Sequence, residues 1–190
     1  MAKFSVDNSM ERRMVRSLAI AASILMFSGC IQVGTTEHRV VFNDNGSGEA
    51  LLRLIDIRSD ETSDSAVARD YKVMMDSFQG DAVKDFEQTG RKVLSRQFIV
   101  RSDTLVAEIR YSFTERGAIE GLRVTKDEMY IIVQQEREVV KTNGKVQSWM
   151  KNAVRIVWPR DERRLMYVVR ERSLPPSVSL ASYYLRNAHH

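Results

Sequence analysis

The stretch LVAEIRYSF, residues 105–113, alternates Leu105, Ala107, Ile109, Tyr111 and Phe113 with Val106, Glu108, Arg110 and Ser112. Successive side chains of a strand point to opposite faces, so this spacing predicts an antiparallel strand with one face buried and the other largely wet. Its partner is residues 92–100, turned through Arg101-Ser102-Asp103. Upstream, 38–42 and 49–57 are also strand-like. The run Asn43-Asp44-Asn45-Gly46-Ser47-Gly48 between them is dense in residues that accept positive φ, which predicts a β-hairpin. The acids and amides of that run lack the ligand spacing and closing glutamate of a calcium loop, so it reads as a plain turn.

Between these hairpins the period changes. Val67, Tyr71, Met74, Met75 and Phe78 recur at helical spacing, after a polar segment 59–65 that ends in capping residues. A helix over 66–78 follows, stopped by Gly80. A shorter one over 81–89 carries Val83 and Phe86 and is closed by Gly90. The methionines suit either an adaptable hydrophobic site or a packed core. The polar side of the first helix is mixed (Arg69, Asp70, Lys72, Asp76), whereas a helix lying on a membrane usually carries a basic one. It is therefore expected to cover the sheet.

Downstream, 114–121 can hold one helical turn. The longest strand-like run, 129–141, passes from Tyr130-Ile131-Ile132-Val133 to Gln134-Gln135-Glu136-Arg137-Glu138 and is expected to overrun the core at one end. Asn143-Gly144 is a hairpin signal, followed by a strand or by a brief helix over 146–152 carrying Trp149. Residues 154–158 and 164–170 flank 159–163 as a second expected hairpin. Pro175 and Pro176 end the sheet, and 177–187 places Val178, Ala181, Tyr184 and Leu185 on one helical face. Strands in adjacent antiparallel pairs with helical insertions define an α+β fold: a meandering antiparallel sheet with helices packed on one face.

The N-terminal segment is of another kind. Lys3, Arg12, Arg13 and Arg16 precede an apolar run over 18–27, then Ser28, Gly29 and the chain's single cysteine, Cys30. About ten apolar residues are too few to cross a hydrocarbon core of roughly 30 Å, so the run reads as the apolar region of a secretory signal. The basic flank suits the side that stays in the cytoplasm. A buried helix ending in a structural cysteine would give no reason for these features to occur together. The segment resembles a bacterial lipoprotein signal peptide. The resemblance implies transfer of a diacylglyceryl group to the Cys30 thiol, cleavage just before Cys30 so that the acylated cysteine becomes the first residue, and a membrane-anchored, extracytoplasmic protein. Ile31 in place of aspartate implies the outer membrane, with the domain facing the periplasm. The organisation expected is a signal peptide over 1–29, an acylated cysteine and tether over 30–37, and one domain over 38–190.

Composition narrows the functions. Of 29 basic and 25 acidic side chains, the signal holds four and two, leaving 25 against 23. That balance gives no argument for nucleic acid as a partner. With one cysteine there is no internal disulfide. The histidines are His38, close to the tether, and His189-His190 at the terminus, so no metal or cofactor is implied. Nucleophile-elbow, phosphate-loop and dinucleotide motifs are absent, and no catalytic residues are assigned. The one suggestive group is Arg155, Arg160, Arg163 and Arg164 with Trp158 and Tyr167, a candidate interaction surface for phosphate head groups or an acidic partner. Its bland counterpart is a solvated sheet face with counter-charges from Asp161, Glu162 and Glu171. The function expected is a non-enzymatic binding or structural module of the cell envelope with an envelope protein as partner. The alternatives are a carrier of lipid or another hydrophobic ligand, and, third, an envelope hydrolase.

Overall fold

A computed structural model describes residues 31–187. The signal segment, Cys30 and His189-His190 lie outside the described residues. The chain runs through β1 (Ile31–Phe42), β2 (Gly48–Ser59), α1 (Asp64–Gln79), α2 (Asp81–Gln88), β3 (Arg91–Arg101) and β4 (Thr104–Phe113). A 3-10 turn (Arg116–Ala118) leads to β5 (Arg123–Val124), β6 (Glu128–Gln134), β7 (Arg137–Thr142) and β8 (Lys145–Met150). Then come β9 (Ala153–Pro159), β10 (Arg164–Glu171), β11 (Val178–Ser179) and α3 (Ala181–Asn187).

The protein is sheet-rich and antiparallel, but the single meander expected from the sequence is two sheets. The larger has the order β3-β4-β2-β1-β10-β7, with β11 added to β2; the smaller has the order β5-β6-β9-β8. The alternating stretch behaves as its pattern requires. Leu105, Ala107, Ile109, Tyr111 and Phe113 are buried, and β4 pairs with β3 on one side and β2 on the other. In β2 the buried positions run Ala50, Leu52, Leu54 and then Ile57, Ser59. This one-residue change of phase falls at Asp56, whose φ is 63°. Aspartate tolerates the left-handed region better than most residues.

Both sheets feed one core. Met129, Ile131, Val133, Ile156 and Trp158 of the smaller sheet join Val40, Phe42, Leu165, Tyr167 and Val169 of the larger one in a single buried cluster. Helix α1 begins at Ser63, whose backbone is extended but whose side chain makes no capping bond, and it stops at Gly80. Its buried Asp70 accepts a bond from Ser59 Oγ at 2.5 Å, which ties the helix to β2.

Three connections differ from the local sequence signals. Residues 129–141 are two strands on different sheets, β6 and β7, with the chain crossing at Gln135-Glu136. Asn143-Gly144 is a second crossing, not a hairpin, since β7 pairs with β10 and β8 with β9. Residues 159–163 are a third, because β9 and β10 also lie on different sheets. The segment 146–152 holds strand β8, not a helix. Residues 31–37, expected to be a tether, are the first half of β1, with Ile31 opposite Ser59.

Asn143 explains why its crossing holds. Its N–H donates to Met166 O at 3.1 Å and its Nδ2 to Arg164 O at 2.6 Å, while its Oδ1 accepts from Met166 N at 2.8 Å and from Trp158 Nε1 at 2.9 Å. One side chain therefore imitates a strand neighbour for β10 and satisfies the buried indole. Gly144 follows because nothing larger fits. A Cβ there would stand 2.6 Å from Trp158 Cε2 and 2.7 Å from Ile156 Cγ2. Gly144→Ala should cost about 1–3 kcal/mol through overpacking, read as a shift of the urea midpoint at constant slope. An unchanged midpoint would show that the corner can open without loss.

Candidate functional site

The residues singled out from the sequence do not form one surface. Trp158 and Tyr167 are core residues, 1% and 8% exposed, with ring centroids 6.1 Å apart. They cannot contact a partner. Their apparent clustering with the arginines came from the shared loop 159–163, which changes sheets. Arg160 is spent on the backbone, donating to Thr125 O, and Arg163 pairs with Asp44. Glu162 Oε1 accepts from the backbone N–H groups of Arg163 and Arg164, and Glu171 pairs with Arg137. Arg164 is exposed. Arg155 belongs to the smaller sheet. Its guanidinium bonds Glu128 at 2.7 Å and Gln147 at 2.8 and 3.0 Å, and it lies 4.8 Å from the Trp149 ring centre and 5.6 Å from that of Tyr130.

Two polar groupings emerge that the sequence did not advertise. The first is inside the core. His38 Nδ1 is 2.6 Å from Tyr167 Oη, and Nε2 is 2.8 Å from Tyr111 Oη. His38 is on β1, Tyr167 directly opposite on β10, and Tyr111 on β4, beyond the intervening β2. All three are buried. Burial, reinforced by the charge of Arg91, lowers the His38 pKa to about 4. The ring is therefore neutral, donating one N–H to one tyrosine and accepting the O–H of the other. Burial also pushes both tyrosine pKa values up.

Next to this relay the buried Arg91 stands over the Phe86 ring, 4.1 Å from its centre, and donates to Thr89 Oγ1 at 2.8 Å. It faces Glu120 at 3.6 Å. Burial raises the Glu120 pKa, with Arg91 acting against that rise, and Glu120 Oε1 has no hydrogen-bond partner. The relay holds its protons at neutral pH and is closed to substrate. Its effect is on folding specificity: a one-residue slip of β1 would leave two buried hydroxyls and an imidazole unpaired.

The second grouping lies on the other face of the larger sheet, where the register sets Gln97, Glu108, Arg53 and Glu37 side by side across four strands. Arg53 Nε donates to Glu108 at 2.8 Å and Nη1 to Glu37 at 3.4 Å. The hydrogen bond from Arg53 holds the Glu108 pKa below the usual carboxylate value. This row is a cross-strand ladder of alternating charge.

Among the described residues no three His, Cys, Asp or Glu side chains converge as a metal site, and no helix is long and apolar enough to cross a membrane. The chain matches no protein-family model, and neither a curated protein nor a solved structure is significantly similar to it.

Proposed function

We propose that the chain is a lipid-anchored, non-enzymatic binding or structural module of a bacterial cell envelope. Acylated Cys30 holds it to the outer membrane, and its partner is another envelope protein met on the periplasmic side. The observation that carries the reading is how near the folded sheet comes to Cys30: Ile31, the residue that follows it, is already paired in β1, opposite Ser59. A domain with the residue next to the lipidated cysteine already built into its sheet would stand close to the bilayer, in keeping with a signal segment that ends before Cys30.

A carrier of hydrophobic ligands would need room between helix and sheet. That interface is filled instead: Val67 and Met74 are 1% exposed and Phe78 packs on Phe98. The filled core favours a module over a carrier. In the same reading the helices form a layer on one face of the larger sheet, an α+β arrangement with the charge ladder on the opposite face.

Cys30→Ser should yield an uncleaved, unacylated precursor. Each buried CH₂ of an acyl chain contributes about 0.8 kcal/mol, and stable anchoring takes more than one chain, so the variant should lose the acyl label and keep the mass of the precursor. Metabolic labelling with a fatty-acid analogue reads this, and equal labelling of wild type and variant would overturn the anchor. For the partner, cross-linking in intact cells followed by mass spectrometry should recover one envelope protein reproducibly; recovery of none would sink the binding role.

A further inference from the structure

We propose that the tip of the β8–β9 hairpin, Trp149 and Met150, inserts into the interface of the bilayer beside the lipid anchor. This rests on the anchored reading above and adds a second, protein-borne membrane contact.

The topology puts the tip at the anchored end. β10 runs antiparallel to β1 with Thr35 opposite Arg170, so the C-terminal end of β10 lies beside the start of β1. Just beyond it, Arg172 N donates to Glu136 O at 2.8 Å, and Gln135 N donates to Asn152 O at 2.9 Å. Asn152 belongs to the turn between β8 and β9. The Ile31 end of the larger sheet and the hairpin tip of the smaller sheet are therefore the same end of the molecule. The arginines of loop 159–163 lie at the opposite end, where Phe42 N bonds Arg163 O. Twelve strand residues at about 3.3 Å each separate them from Ile31. They face away from that membrane.

The tip has the chemistry of an interfacial wedge. Met150 is 69% exposed, the most exposed large apolar side chain among the described residues, and Trp149 is 38% exposed. Lys151 and Asn152 follow, both exposed. The register of β8 against β9 shifts between Ser148 and Met150, and such a bulge re-aims the side chains around it. Trp149 is held from behind by the Arg155 guanidinium and by Tyr130, whose ring centre is 5.7 Å away, so it is presented instead of folded back. Tryptophan favours the bilayer–water boundary, and lysine can extend its ammonium to the head groups while its stem stays in apolar surroundings. Charges at this end are mixed, with Arg101, Lys151 and Arg172 against Asp60, Asp103 and Glu136, all exposed. Apolar insertion into zwitterionic lipid is therefore the expected mode, in place of attraction to anionic lipid.

The two tryptophans make the test self-controlled, since Trp158 is buried and Trp149 is not. The mature lipidated protein, processed before Cys30, is reconstituted in phosphatidylcholine vesicles, with and without brominated acyl chains. Wild type should lose Trp149 emission to bromine. Trp149→Phe should show no quenching, because only Trp158 remains, and Met150→Asp should lose most of it. Vesicle-bound wild type with equal emission in the two lipids would overturn insertion and leave the anchor standing. A wild-type protein that does not float overturns both.

Discussion

Phe78→Ala should destabilise the protein by about 3–5 kcal/mol, the range for truncating a buried phenylalanine to alanine, and lower the melting temperature by roughly 10 °C at this size. Phe78 is the last buried residue of α1 and 8% exposed. Its ring meets Phe98 of β3 at a centroid distance of 4.2 Å, and Phe98 in turn meets Tyr184 of α3 at 5.6 Å. Removing the ring opens a hole where two helices and an edge strand converge. Relaxation is limited because Arg96 donates to Phe78 O at 2.8 Å and to Gln79 O at 2.9 Å, holding the end of the helix to β3. A thermal melt decides the matter. An unchanged midpoint in the absence of ligand would mean that α1 is a lid and that the carrier alternative must be taken up again.

Acidification from pH 7 to pH 4 should remove about 3 kcal/mol of stability through His38 alone. The folded pKa is about 4, below the ordinary value for histidine. Between those two values the unfolded chain binds the proton and the folded chain does not. Stability is therefore complete above about pH 6.5 and is lost as pH falls toward 4. Other groups titrate nearby. Glu120 acts in the opposite sense because its pKa is raised, and Glu108 in the same sense because its pKa is lowered. The comparison with His38→Gln isolates the histidine, since an amide can also both donate and accept between the two tyrosines. Urea unfolding at pH 7, 5.5 and 4.5 should show the wild-type curve converging on the variant's as pH falls. Parallel curves would refute the burial of a neutral imidazole.

What could be read from the sequence was what neighbouring residues decide. Alternation over 105–113 needed only the strand's own period, and the turns at 43–48 and Arg101-Ser102-Asp103 needed only local backbone preferences. The helix expected over 66–78 is α1, longer by two residues at its start and one at its end. The failures share one cause. Asn143-Gly144 carries the local chemistry of a hairpin, yet β7 finds more to pair with in β10 than in β8, and the glycine is required by Trp158 fourteen residues on. A histidine in a strand near a supposed tether gives no local sign that tyrosines 73 and 129 residues away will enclose it. Exposure of Trp149 and burial of Trp158 were equally hidden, because both sit in short strand-like runs and only the cross-sheet connections distinguish them.

The pairing of β1 with β10 bears on how the molecule is made. β1 is synthesised first among the described strands and can close on β2 at once, but its other edge waits for Arg164–Glu171, more than a hundred residues later. Until then Thr35 to Val41 present an open row of backbone donors and acceptors, the kind of edge that recruits other chains. Distant pairings of this sort also slow folding. A nascent chain halted before β10 would carry a completed hairpin with nothing on its flank, and would be expected to aggregate where the finished protein does not.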